Sequence, residues 1–446
     1  MIPVLLLSAT LSCAAWLFAA TEPWAWRICQ ALSVLCLVAA LAEAHRRRDA
    51  DPDGRTCLWN WRWGLPFLLL LGFMLVQAAN PSHAYSPGDE GLSPLRHIAW
   101  LPHSVSRAVS LEAAGRLATC LIIMLTARCM CSSRRTSQGL VGLLLAGGSG
   151  MALLVILQRS AAPRPPYEMT GMFVNGSNYA AYANLLLPLA LSLGRASQVR
   201  AALKGDRSHP GYLLYIIAGL LVVSVLISGS RAGVAIAVGL ALGWAVLEAL
   251  QGLKRGRTLA GAAALLLPLL LVAGLFVLLR ADRMGSAPLP FEEGLMGLGG
   301  RAAALTGTWQ MFLDRWVAGT GAGTFACAFP YYQPPAISSL YFRYAHNDWL
   351  EYVAELGVIG AALLAWLVAA VVWLAPEAEV DPAGAGNGGR GRRRHSTWRR
   401  YERRGVVLAL AGMSAHALVD FPLHIPATLL TASALAGLLN RREQRS

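Results

Sequence analysis

The chain has 446 residues, 56% of them hydrophobic and 14% charged, with a mean hydropathy of +0.49; a soluble globular chain carries about 25% charged residues. That deficit excludes an ordinary water-soluble domain and implies that lipid covers much of the surface. The formal charge of +14 is almost all arginine, Lys204 and Lys254 being the lysines, and its clustering between apolar runs points to membrane topology signals and anionic lipid, with no nucleic-acid partner.

A spanning helix needs about 20 mainly apolar residues, and a bilayer admits only helices or closed barrels. The apolar runs here are long and continuous, so the expected fold class is all-α integral membrane, with about 12 transmembrane helices. In chain order the first five fall at 2–20, 28–44, 64–79, 111–127 and 139–158, within an N-terminal region 1–170. The rest fall at 178–194, 212–229, 232–250, 258–279, 356–375, 405–420 and 423–440, within a region 171–446. Tight turns join the pairs around Gly229 and Asp420. Met1 opens an apolar segment without a small-residue cleavage signature, which reads as a first spanning helix and not as a removed signal peptide. Cys327 is the one cysteine in the largest outer loop, so no disulfide framework is implied.

Arginine and lysine placement sets the orientation. With the N-terminus in the cytoplasm, 26 of the 38 Lys and Arg residues fall in inner loops and 11 in outer ones, with Arg116 left inside a span. Both termini are therefore expected to be cytoplasmic. Two loops are long. The inner loop 376–404, rich in Gly, Pro and Arg, reads as disordered. The outer loop 280–350, between spans 9 and 10, carries aromatics and amphipathic stretches and is expected to form a helical cap.

Candidate chemistry lies among the residues that break the topology rule. Arg231 stands in SGSRAG at an outer junction between spans, where a cation either snorkels to headgroups or binds an anion such as a diphosphate. Arg301 opens RAAALTGTWQMFLDRW, whose apolar residues recur at helical spacing. Arg315, next to Asp314, reads as a solvated ion pair. The cluster GTGAGTF lacks the preceding strand and following Lys-Ser/Thr of a phosphate loop and fits a tight turn better. In YFRYAHNDWLEYVAELGVIG, Asn347 and Asp348 suit a helix cap, whereas His346 is either structural or a group that moves a proton. His346 with Asp348 and Glu351, or His416, Asp420 and His424, offer ligand types for a metal, but Pro422 interrupts the second set and no metal site is assigned.

These motifs resemble the bacterial O-antigen ligase superfamily, which joins O-antigen ligases, O-antigen and exopolysaccharide polymerases, and pilin O-oligosaccharyltransferases. His346-Asn347, nine residues, then Gly357-Val-Ile-Gly360 reproduce the family's H-N-x9-G-x-x-G signature. FVNGSNYAAYANLLLPLAL (173–191), SGSRAG (228–233), the block 309–325 and HALVDFP (416–422) follow the family's order. The resemblance implies a GT-C-like glycosyltransferase with an extracytoplasmic site, needing neither metal nor cofactor. The donor would be a glycan on undecaprenyl diphosphate. The acceptor would be a glycan on lipid, either lipid A core or a second lipid-linked repeat. Region 171–446 becomes the catalytic region of a multi-pass bacterial inner-membrane protein acting in surface polysaccharide or lipopolysaccharide biosynthesis. The resemblance also implies catalytic roles for His346, Arg301 and Arg231, and substrate-binding roles for Arg343, Asn347 and Asn175. His346 would take the acceptor's proton or contact the diphosphate. The alternative function is a transporter or flippase of lipid-linked oligosaccharide, which would hold its functional charges near the membrane midplane.

Overall fold

The computed structural model describes residues 2–50, 59–86, 91–161, 169–205, 211–253, 298–372 and 389–441. Helices α1 (Ile2–Trp16), α2 (Pro23–Ala50), α3 (Trp61–Ala79), α4 (Arg107–Met130) and α5 (Arg134–Ala161) precede α6 (Gly176–Lys204), α7 (Gly211–Ile227) and α8 (Arg231–Leu253). Then come α9 (Leu298–Asp314), the single turn α10 (Phe325–Ala328), α11 (Asp348–Val372), α12 (Gly389–His416) and α13 (Pro426–Leu439). Six of them, α2–α5, α8 and α11, are long and apolar enough to cross a membrane, and α1, α7 and α13 are shorter apolar helices. The protein is a helical membrane protein. The expected span 258–279 and the start of the outer loop lie outside the described residues.

Apolar runs become helices because lipid leaves the backbone no other partner. Their starts are set by side-chain caps: Asn60 accepts from Arg62 N at 3.0 Å and Asn175 from Asn178 N at 2.9 Å. Helix α6 is the centre of the bundle. Every residue from Asn178 to Gly194 is buried, packed by α7, α8 and α12, and two of its polar groups bond to neighbouring helices. Asn184 Nδ2 donates to Gly233 O at 2.9 Å, and Tyr179 Oη to Ser224 Oγ at 2.6 Å.

Three expectations need correction. A short antiparallel hairpin, β1 (His83–Ser86) with β2 (Gly91–Pro94), interrupts the all-α pattern in the α3–α4 connection. The loop expected to be disordered over 376–404 is helical from Gly389 onward. Its charged residues find partners that no local reading reveals: Glu402 is gripped by Arg441 with two bonds of 2.7 and 2.9 Å, and Arg404 reaches Glu248 at 3.3 Å. Helix α11 begins at Asp348, well before the apolar run expected from 356, because its buried acids are held by bonds described below.

The helices divide the polar groups between two ends of the bundle. One end gathers the starts of α6, α8, α11 and α13 with the end of α12. The opposite end gathers Arg128, Ser137, Arg195, Glu248, Glu402 and Arg441, tied together as buried pairs. Between the ends, α3, α4, α11, α12 and α13 enclose an apolar cavity of about 300 Å3.

Candidate active site

His346 sits in the loop before α11, in a left-handed backbone conformation with φ 56° that side-chain-bearing residues rarely adopt. Two contacts impose it. Ala345 N donates to Glu351 Oε2 at 2.6 Å, and Asp348 N donates to Ala417 O at 2.9 Å. The loop is thus pinned on one side to the first turn of α11 and on the other to the end of α12.

The imidazole faces Asp420. His346 Nδ1 lies 3.2 Å from Asp420 Oδ1, across 74 residues of sequence, and packs edge-on to Phe421 with ring centroids 5.1 Å apart. The Asp420 side chain is 2% exposed and that of His346 20%. Burial pushes the Asp420 carboxyl upward, but hydrogen bonds from His346 and Ser177, with the positive charge of His346 and Arg301, outweigh it and hold the pKa below the usual carboxylate value. A charged carboxylate at Nδ1 fixes the tautomer that leaves Nε2 free to accept a proton.

The arginines surround this pair. Arg301, on α9 where that helix packs against α11, lies close enough for its charge to act on Asp420. Arg231 is exposed and is the first residue of α8. The cap of that helix, Ser230, accepts from Gly233 N at 2.9 Å and donates to Ser177 Oγ at 3.3 Å. Ser177 in turn meets His416 Nε2 at 3.2 Å. Arg343 stands over the Tyr344 ring, 5.7 Å from its centroid. Among the described residues, none of Arg231, Arg301 and Arg343 forms a salt bridge, whereas Arg195, Arg404 and Arg441 at the other end are paired with carboxylates. Among the described residues, the three guanidinium groups at this end thus have no carboxylate within salt-bridge distance, although the charge of Arg301 reaches Asp420. Arg315 departs from its expected ion pair with Asp314: it hydrogen-bonds His103 Nε2 across 212 residues.

Asn347 and Asn175 serve as caps. Asn347 Oδ1 accepts from Leu350 N at 3.0 Å, as Asn175 Oδ1 does from Asn178 N. This occupies their carbonyl oxygens and leaves their amide NH2 groups for any contact with substrate.

The acids of α11 do structural work. His424 is bridged between Asp348 (Nδ1 to Oδ1, 2.5 Å) and Glu351 (Nε2 to Oε1, 3.2 Å), and its ring stacks on Tyr352. The other oxygen of Asp348 accepts from Leu423 N at 2.7 Å. These three side chains, with one ligand atom each inside 4.8 Å, have the composition of a cation site. Both nitrogens of His424 already face carboxylates, however, so the group is satisfied as a strut that ties turn 417–424 to α11. The two metal sets suggested by the sequence are thereby split: His346 goes to Asp420, His416 to Ser177, and His424 to the acids.

The glycine motifs also find their cause. At Gly357 (φ 62°) α11 breaks, and the freed amides of Val358 and Ile359 donate to Trp316 and Val317 carbonyls at 2.8 and 3.3 Å. A Cβ at Gly357 would lie 2.5 Å from the Val317 carbonyl. Glu355 clasps the glycine-rich segment from below, accepting from Gly323 N at 2.7 Å and Phe325 N at 2.8 Å. GTGAGTF is therefore a docking segment for the broken helix, and it holds α9 and Arg301 over the His346 loop.

Asp420 is the residue to which the sequence gives no role: it stands in HALVDFP and among side chains of metal-ligand type with no metal site assigned, and its pairing with His346 across 74 residues has no local signal. Residues 216–365 match the family model described as O-antigen ligase. The match includes Arg231, Arg301, Arg343, His346 and Asn347 and leaves Asn175 and Asp420 outside. No curated protein matches the chain.

Proposed function

We propose that this chain, whose residues 216–365 match the O-antigen ligase family model, is a membrane glycosyltransferase acting on undecaprenyl-diphosphate-linked glycan at the outer face of the bacterial inner membrane. The observation that supports this reading is the His346–Asp420 pair, with Arg301 close enough for its charge to act on Asp420.

In the reaction an acceptor hydroxyl attacks the anomeric carbon and the bond from that carbon to the diphosphate oxygen breaks. Negative charge develops on the leaving diphosphate. Arg301 and Arg231 supply fixed positive charge where it builds, a type of contribution worth about 100- to 1,000-fold per group removed. His346 Nε2 takes the hydroxyl proton, and Asp420, at Nδ1, stabilises the imidazolium that forms. Arg343 and the amide groups of Asn347 and Asn175 bind substrate. The mechanism uses no metal or cofactor. The acceptor is a second lipid-linked repeat or lipid A core, making the protein a polymerase or a ligase. The arginine-rich end is the cytoplasmic one, with both termini there, in line with the 26 of 38 basic residues assigned to inner loops. A transporter fits less well, since the unpaired charges lie at an end of the bundle and not at mid-depth.

The test is reconstitution of the purified protein with an undecaprenyl-diphosphate glycan and an acceptor glycolipid. A transferase releases undecaprenyl diphosphate and lengthens the acceptor. A transporter moves the donor between leaflets with its linkage intact, and that result would overturn the proposal.

A further inference from the structure

His416 is a buried histidine to which the proposed mechanism gives no part. It is the last residue of α12 and is fully buried. Asp420 N donates to His416 O at 3.0 Å, so the two residues stand one turn apart at the same helical end. Ser177, the second residue of α6, meets both. Its place is fixed from two sides. Asn175 caps α6, and Gly176 presses the start of that helix against the SGSRAG turn, where a Cβ on Gly176 would lie 2.2 Å from Ser228 O. The Ser177 hydroxyl therefore sits where α6, the start of α8 and the turn after α12 converge.

Donor counting sets the direction of each hydrogen bond there. An ionised carboxylate only accepts, so the bond between Ser177 and Asp420 uses the one proton of the Ser177 hydroxyl. Ser230 Oγ donates to Ser177 Oγ at 3.3 Å. The remaining lone pair of Ser177 meets His416 Nε2 at 3.2 Å. With the serine proton already used, Nε2 must carry the hydrogen and donate it. His416 Nδ1 is then a bare lone pair, and among the described residues it is buried without a hydrogen-bond partner. The opposite tautomer would strand a buried N–H, a group rarely left unpaired in folded proteins. A hydroxyl that accepts two hydrogen bonds donates its own more strongly, by about 10–30% per bond.

We propose that Ser177, polarised by His416 and Ser230, is the positioning residue of the dyad: it holds the Asp420 carboxylate in line with His346 Nδ1 and keeps it ionised when His346 gains the acceptor's proton. A carboxylate held by a second donor is the weaker base, so that proton stays on the imidazole. The same hydroxyl ties the base to the start of α8, since Ser230 immediately precedes Arg231, and the proton acceptor and one of the proposed cations thus share an anchor. The role in turnover rests on the transferase reading, whereas the hold on the carboxylate does not.

The first measurement needs no glycan. In full-length protein carrying 15N-histidine, the ring-nitrogen signals of the two histidines are assigned by their loss in His346→Gln and His416→Gln. The wild type should show His416 protonated at Nε2 and His346 protonated at Nδ1. In Ser177→Ala the His346 signal should become a mixture of both tautomers as the carboxylate loses its hold. A wild-type His416 protonated at Nδ1 overturns the proposal, and that measurement stands even where Ser177→Ala does not fold. So does a His346 tautomer unchanged in folded Ser177→Ala. In single-turnover transfer, Ser177→Ala should lower kcat about tenfold or more with donor KM within about twofold. Ser177→Thr, which keeps the hydroxyl, should retain at least half of the wild-type rate. Unchanged kcat in Ser177→Ala, or a loss that sits in KM or follows the amount of folded protein, also overturns the positioning role. Tautomers as expected with no glycan transfer in the reconstituted assay leave the hold on Asp420 standing and remove the transferase reading alone.

Discussion

Replacing Asp420 by Asn tests the core of the mechanism with little disturbance of shape. Asp420 Oδ1 accepts both His346 Nδ1 at 3.2 Å and the backbone amide of Phe421 at 3.0 Å. An amide oxygen in the same place keeps the Phe421 bond, so the turn survives, while the charge that stabilises a protonated His346 is gone. A hydrogen bond to a charged group contributes about 1.5–3 kcal/mol, and with tenfold in rate for each ~1.4 kcal/mol the expected loss in kcat is about 10- to 150-fold. The assay is single-turnover transfer from the lipid-linked donor, with donor KM measured in parallel. Because the effect arises as His346 gains charge, kcat should fall while KM stays within about twofold. The stability consequence has a definite sign. Asp420's carboxyl is held below its usual value in the fold, so its contribution is present above the unfolded pKa, about 3.9, and is lost as pH falls through the lower folded value. The melting difference between wild type and Asp420→Asn should therefore shrink as pH falls below about 4. Unchanged kcat in a well-folded variant, or a loss residing wholly in KM, would refute the dyad.

Other outcomes follow from the same geometry. His346→Ala should abolish transfer, and Arg301→Ala or Arg231→Ala should each cut it by about 100-fold or more, with membrane insertion unchanged by protease protection. Arg315→Ala, which removes a bond to His103 away from the dyad, should leave at least half the activity. At the opposite end, Arg441→Met strands the Glu402 carboxylate, whose side chain is 3% exposed; a loss of about 3–5 kcal/mol is expected, read as a lower melting temperature with unchanged turnover per folded molecule. Gly357→Ala should destabilise by at least about 1–3 kcal/mol from backbone strain alone, with activity lost in step with folded protein measured by size-exclusion chromatography.

How much of this was legible in the chain depends on the range of the forces involved. Helices were legible because lipid imposes a local rule: the expected spans inside the described residues fall on α1–α8 and α11–α13. What escaped was set by long-range pairing. The loop 376–404 reads as disordered until Arg134 and Arg200 are found over the Trp398 ring and Glu402 is found paired with Arg441. The first turn of α11 looks too acidic for a span until Asp348 and Glu351 are seen bridged by His424, with Glu355 bound to two backbone amides. The site divides the same way. His346, Arg301 and Arg231 carried a motif and a charge out of keeping with topology, and both are local signals. Asp420 lay in the motif HALVDFP, but no local signal paired it with His346.

That division bears on where the catalytic unit ends. The stretch 216–365 contains His346, Arg231 and Arg301, yet the carboxylate bonded to His346 comes from the turn between α12 and α13. The strut Asp348–His424–Glu351 joins the same two pieces a second time, through a different pair of side chains. Two independent ties between one loop and one turn are more than packing requires. They make the position of the imidazole depend on α12 and α13 being seated, so a break in the strut should misplace Asp420 without touching it. His424→Gln is the decisive variant: its amide can bond one carboxylate but not both. If the strut positions the dyad, kcat should fall about tenfold or more by the hydrogen-bond magnitude used above, and the double variant with Asp420→Asn should lose little beyond Asp420→Asn alone. Losses that simply multiply would mean that the two ties act separately, and that His424 holds the fold without aiming the base.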